Sequence, residues 1–163
     1  MYSVFFLLFL TNVLNNVDHG SLPGCFDAIK NKLEVGNFGF GMLGSIVFVG
    51  LIFGSMAASG LFSQGAWIKP TLVLALLLNS ICLYVFTLSN SFYFMVFVRG
   101  AIGFFQVFVC IYMPVWVDTF GSESQKSIWL TINMLAAPLG VVLGYTLTYY
   151  MNKYQTWEWS FII

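Results

Sequence analysis

Apolar residues in this chain come in long runs separated by short polar stretches. A bilayer core of ~30 Å takes about 20 mostly apolar residues as helix, because every backbone amide there must be satisfied within the segment. Five runs reach that length, over Tyr2–Ala28, Phe38–Phe62, Pro70–Leu88, Phe92–Val117 and Ile128–Met151. A sixth opens at Trp159 with "WSFII" and stops at Ile163. The connections "IKNKLEVGN", "SQGAWIK", "SNS", "DTFGSESQK" and "NKYQTWE" are short and polar, so neighbouring helices run antiparallel. The pattern predicts an all-α, polytopic transmembrane helix bundle of five spans plus the start of a sixth. The sudden stop reads as a cut.

Small residues crowd the second run, at Gly39, Gly41, Gly44, Gly50, Gly54, Ala57, Ala58 and Gly60, and return in the fifth at Gly140 and Gly144. In lipid such residues let helix backbones approach closely, so they are read as packing positions. Pro23, Pro114 and Pro138 fall inside or near the ends of runs, where each removes a backbone hydrogen bond and invites a kink.

Polar residues inside the runs carry the candidate chemistry. In "NVLNNVDHGSLPG", Asn12, Asn15, Asn16 and His19 follow the i, i+3, i+4, i+7 spacing of one helical face, with Asp18 on its flank. Counted from Tyr2 at 1.5 Å per residue, Asp18 sits ~24 Å along the span, where a carboxylate without a partner is costly. The competing reading places it at the membrane interface. In "FVRGAIGFFQVFV", Arg99, the chain's one arginine, shares a face with Gly103 and Gln106 at i, i+4, i+7. Arg99 is a candidate partner for Asp18; alternatively it snorkels to the interface, seven residues in from Phe92.

Composition narrows the class. At 60% hydrophobic, 19% aromatic and 7% charged, the chain is far from the quarter of charged residues usual in soluble domains. Six basic and six acidic side chains cancel, leaving no basic surface for nucleic acid. Lys69 and Lys126 on one side face Lys30, Lys32 and Lys153 on the other, so the positive-inside rule does not set the orientation. The opening "MYSVFFLLFL" lacks a preceding basic residue and a clear cleavage site, and reads as a span rather than a secretory signal. Cys25, Cys82 and Cys110 are widely spaced in apolar contexts and read as packing residues. With one histidine, no nucleophile elbow and no phosphate-cradling loop, neither catalysis nor a metal nor a cofactor is expected.

These stretches resemble the N-terminal half of a major facilitator superfamily transporter, most closely the Spinster-like sphingolipid and lysophospholipid transporters, over almost the whole chain. Asp18 matches the aspartate of that family's first-span Asp-Arg pair, with His19 where arginine is expected. "RGAIGFFQ" is similar to the fourth-span Arg-Gly-x-x-Gly-x-x-Glu motif at Arg99, Gly100 and Gly103, with Gln106 replacing the glutamate. "NMLAAPLGVVLGY" is similar to the Gly/Pro-rich fifth-span motif at Pro138, Gly140 and Gly144, and "WEWSF" resembles the start of the sixth span. The loop that should carry Gly-x-x-x-Asp-Arg-x-Gly-Arg-Lys is degenerate: Gly60 and Lys69 fit, Gln64 replaces the acid and the arginines are missing.

The resemblance implies residues 1–163 are part of an N-terminal six-helix half of a secondary transporter. It implies that Asp18, His19, Arg99, Gln106, Asn12, Asn15 and Asn16 line a pathway for a lipid-like or small organic solute, with Gly60, Gln64 and Lys69 a remnant of the gating loop. The expected partners are the bilayer and a missing C-terminal half or other membrane subunits, in an organellar or plasma membrane. The alternative is a truncated, transporter-like structural subunit of a larger organellar or respiratory complex, without transport activity, which would account for the decayed loop and the substituted ionic positions.

Overall fold

The computed structural model describes residues 2–63, 67–154 and 158–162. Among the described residues seven helices follow in order: α1 Tyr2–Gly24, α2 Phe26–Leu33, α3 Asn37–Phe62, α4 Ile68–Leu88, α5 Phe92–Phe120, α6 Glu123–Tyr154 and α7 Trp159–Ile162. Helices α3 to α6 are each long and apolar enough to cross a membrane. Helix α1 has the length, 23 residues, but Asn12, Asn15, Asn16, Asp18 and His19 lower its hydropathy. The protein is an integral, multi-pass membrane protein.

The first run was expected to stay helical to Ala28, yet α1 stops at Gly24 and α2 starts afresh at Phe26. Pro23 has no amide hydrogen to donate, and the Gly24 carbonyl accepts from Nδ2 of Asn152 on α6 at 2.9 Å. Helix α2 is short and amphipathic, with Asp27 in its first turn, Lys30 and Lys32 in its last, and Ile29 buried. It ends at Glu34, whose φ of 52° lies in the left-handed region.

Two helix pairs organise the bundle: α1 lies along α6, and α3 along α5. Both close on glycines four residues apart. A Cβ on Gly20 would overlap the Val141 carbonyl, and one on Gly140 or Gly144 the carbonyls of Val13 or Val17. On the second seam, a Cβ at Gly50 or Gly54 would overlap the carbonyls of Gly100 or Phe104. Such close approach is how helices gain dispersion contact in a solvent that offers no hydrophobic drive between them. Gly41 and Gly60 face open space, so the small residues of α3 do not all serve packing. Helices α5 and α6 run on through Pro114 and Pro138.

Helix α4 packs on α5, and α7 touches α4, α6 and α1. One apolar cluster joins Leu22, Cys25, Ile29, Leu43, Phe86, Met95 and Phe161 at one end of the bundle. At the other end Trp129 stacks between Phe5 and Trp116, with ring centroids 4.8 and 5.8 Å away. These two clusters hold α1 against α5, and the polar residues of both helices lie between them.

Candidate functional site

Asp18 on α1 and Arg99 on α5 meet in the interior of the bundle. Arg99 Nη1 donates to Asp18 Oδ2 at 2.7 Å, and Nη2 reaches the Asp18 backbone carbonyl at 3.3 Å. Arg99 is 1% exposed and Asp18 5%, so this guanidinium does not snorkel to the interface. Its plane also lies 5.7 Å from the centre of the Phe86 ring. Two charges taken this far from water persist only as a pair.

Gln106, two turns along α5, extends the contact: its Nε2 donates to the Asn15 backbone carbonyl and approaches Asp18 Oδ1 at 3.4 Å. His19 Nε2 stands 4.0 Å from the same oxygen, with its ring half-buried near Phe48. Gly103 does not leave a gap on the Arg99 face, because the backbone of α3 at Val47 fills the space a side chain would take.

The polar stripe of α1 divides. Asn12 turns into the α1–α6 seam, where its Nδ2 donates to Asn133 Oδ1 at 2.8 Å, and Asn16 donates back to the Asn12 carbonyl at 2.8 Å. Asn16, His19 and Arg99 border a cavity of about 510 Å³ walled by Phe40, Gly44 and Phe48 of α3. Asn15 and Asp18 border a second cavity of about 260 Å³ against α4 and α7. The ion pair therefore divides two spaces, with Arg99 bordering one and Asp18 the other.

Other residues expected at the site lie apart from it. Gly60 and Lys69 are exposed near the loop between α3 and α4, and Gln64 lies outside the described residues. Pro138 is exposed on α6, while Gly140 and Gly144 sit in the α1 seam. Three polar residues of this region were not singled out in the sequence: Asn133, Asn79 on α4 and Ser160 on α7, all within otherwise apolar runs. A lone amide in a membrane helix was the available signal. Among the described residues, no three His, Cys, Asp or Glu side chains gather as a metal site requires.

The profile described as Major Facilitator Superfamily matches residues 8–163. The chain belongs to the Major Facilitator Superfamily. It is 25% identical to a probable sphingolipid transporter, spinster homolog 1, of Arabidopsis thaliana, an alignment covering 96% of this chain and 35% of that protein. It is also 25% identical to the probable metabolite transport protein CsbC of Bacillus subtilis (strain 168), over 97% of this chain and 34% of that one. The putative metabolite transport protein YwtG of the same organism matches at 25%, over 96% and 34%. This facilitator chain thus spans about a third of the length of the curated relatives it matches.

Proposed function

We propose that this chain is the front part of a secondary transporter that moves a lipid-like or small organic solute by alternating access, without enzymatic chemistry. In transporters of this superfamily, solute binds near the membrane midplane and two halves rock about it. The Asp18–Arg99 pair carries the reading. An ionised pair buried between two spans and bordered by cavities is costly to maintain and marks a polar pathway more often than a packing contact. The 510 Å³ cavity beside Arg99 and His19 falls within the ~300–1,000 Å³ of ordinary ligand sites. Relatives named for sphingolipid and metabolite transport support both solute classes.

The test is Asp18→Asn in the full-length protein, reconstituted in liposomes and assayed with labelled sphingosine and a panel of small labelled metabolites. Loss of gradient-driven uptake is expected, with the elution profile retained. Uptake unchanged across pH would take Asp18 out of the mechanism.

A structural role in a larger membrane complex is the second reading. What favours it is that Gln106 and His19 stand where the resembling family carries ionic groups, and Gln106 directs its amide to the Asn15 carbonyl. On that reading Asp18→Asn alters assembly and leaves no uptake to lose.

A further inference from the structure

The two carboxylate oxygens of Asp18 are used unequally. Oδ2 takes the Arg99 guanidinium at 2.7 Å, whereas Oδ1 has a long contact from the Gln106 amide at 3.4 Å and the His19 ring at 4.0 Å, beyond hydrogen-bond reach. A carboxylate oxygen accepts more than one hydrogen bond, so Oδ1 has room for a donor. A proton on His19 turns the 4.0 Å gap into the approach of a charged N–H to a carboxylate, the stronger class of hydrogen bond. His19 keeps 20% of its side chain exposed, whereas Asp18 and Arg99 are buried. The imidazole is therefore where a proton can arrive from the 510 Å³ cavity.

The charge of this group defines what else must bind. With a neutral imidazole, Asp18 and Arg99 sum to zero; with a proton on His19 the three carry one positive charge. Helix α1 gives the ring Asp18 and α5 gives it Arg99, while α3 and α6 border the cavity with Phe40, Phe48 and Val141 and contribute no ionisable group. Among the described residues Arg99 and His19 are the ionisable groups on this cavity, and Asp18 borders the other one. An uncompensated positive charge in a membrane interior is costly, so the proton is held more firmly when a negative charge arrives with it. A cationic solute finds no free acid here, and a neutral one gives the proton no counter-charge. Imidazole ordinarily changes charge between about pH 5 and 8, so the exchange falls in the physiological range.

We propose that the cavity beside His19 binds an organic anion together with one proton. The proton sits on His19, with Nε2 donating to Asp18 Oδ1 and Nδ1 to the anion, and Phe40 and Phe48 wall the apolar part of the solute. Two cations, Arg99 and His19, then face two anions, Asp18 and the solute, and the filled site is neutral. Asp18 stays ionised as the partner of Arg99, and His19 is the proton-binding residue. Linkage is reciprocal: the proton strengthens the anion's binding by the factor with which the anion strengthens the proton's. Carriage of both across the membrane rests on the transport reading above, whereas linked binding needs no gradient.

The experiment is calorimetric titration of the full-length protein in phosphatidylcholine nanodiscs with hexanesulfonate, whose charge does not change with pH. Hexanamide and hexyltrimethylammonium serve as its neutral and cationic counterparts, and empty nanodiscs give the partition background. Repeating each titration in buffers of different ionisation enthalpy counts the protons taken up per solute bound. For hexanesulfonate the count should approach one at about pH 8, with affinity rising by up to about tenfold per pH unit lowered until the ring is protonated. His19→Gln should abolish the proton count and flatten the pH profile at its weak end. His19→Arg, a fixed cation, should flatten it at its tight end, and this variant carries the test alone should His19→Gln fail to fold. Protons still taken up in either variant, hexanesulfonate bound without a proton, the cation bound as well as the anion, or no anion bound above empty nanodiscs each overturn the proposal. Linked binding with no entry of hexanesulfonate into liposomes would defeat the transport reading and leave the linkage standing. Entry of neutral metabolites through a protein that shows no linkage would overturn the proposal and leave the transport reading standing.

Discussion

The α1–α6 and α3–α5 seams both bring backbone against backbone at glycines four residues apart, and they differ in what surrounds those glycines. Along α1–α6, Asn12 bonds Asn133, Ser21 reaches the Gly144 carbonyl at 3.5 Å, and Asn152 donates to the Gly24 carbonyl. Among the described residues no side-chain hydrogen bond crosses α3–α5, where Gly50, Gly54, Gly100 and Gly103 meet α-helical backbone and apolar side chains. With Gln125 donating to the Tyr2 hydroxyl at 2.8 Å, one seam has its register fixed by directional bonds at four levels. The other relies on shape alone. Helix α1 needs the first solution because it carries polarity on several faces, and a helix free to rotate would expose Asp18 or Asn15 to hydrocarbon. Helix α3, apolar all round, tolerates the second.

Arg99 joins the two pairs across α1 and α5, so its removal should have the largest effect. Arg99→Met leaves Asp18 buried with no counter-charge, a loss of about 3–5 kcal/mol. Asp18→Asn should cost less, since an amide can still accept from Arg99. Combining Asp18→Leu with Arg99→Met should recover much of the single-variant loss, because the buried charge disappears with its partner. Unfolding in mixed detergent, followed by tryptophan fluorescence, reads all three. A double variant as unstable as the sum of its parts would show that the ion pair does not couple the two seams.

The fold class was legible because a bilayer admits few solutions: a polar connection every two or three dozen residues leaves helices as the one way to satisfy the backbone. Asp18 and Arg99 stood out for the same reason, as lone charges in apolar runs. The division of the α1 stripe was not legible. Helical spacing places Asn12, Asn15, Asn16 and His19 on one broad face, but which of them meets α6, α5 or a cavity depends on where the neighbouring helices cross. Asn133 lies 121 residues from its partner Asn12, and nothing local links them. The end of α1 at Gly24 likewise depends on Asn152, a residue of another helix.

If the seams are alike in close packing, equal insults should have equal effects. Gly144→Ala on one and Gly50→Ala on the other each drive a methyl into a backbone carbonyl, with an expected loss of about 1–3 kcal/mol. Gly60→Ala, facing open space on a helix, should be neutral or stabilising by up to about 1 kcal/mol. Thermal midpoints of the three variants in one detergent suffice. A loss confined to Gly144→Ala would mean that α3–α5 separates readily and that its glycines are not a contact under tension.

The smallest expected effect isolates the directional part of the α1–α6 seam. Interhelical hydrogen bonds in membranes average about 0.6 kcal/mol in double-mutant cycles, because the dissociated helices find other partners. The Asn12–Asn133 bond should fall near that value in the cycle Asn12→Leu, Asn133→Leu and both together. The single variants should be unequal. Asn133→Leu removes one bond, whereas Asn12→Leu also strips the acceptor that receives Asn16 Nδ2 at 3.2 Å and Cys110 Sγ at 3.7 Å. A coupling near zero with equal single effects would put the register of α1 on the glycines alone, and the two seams would then differ only in composition.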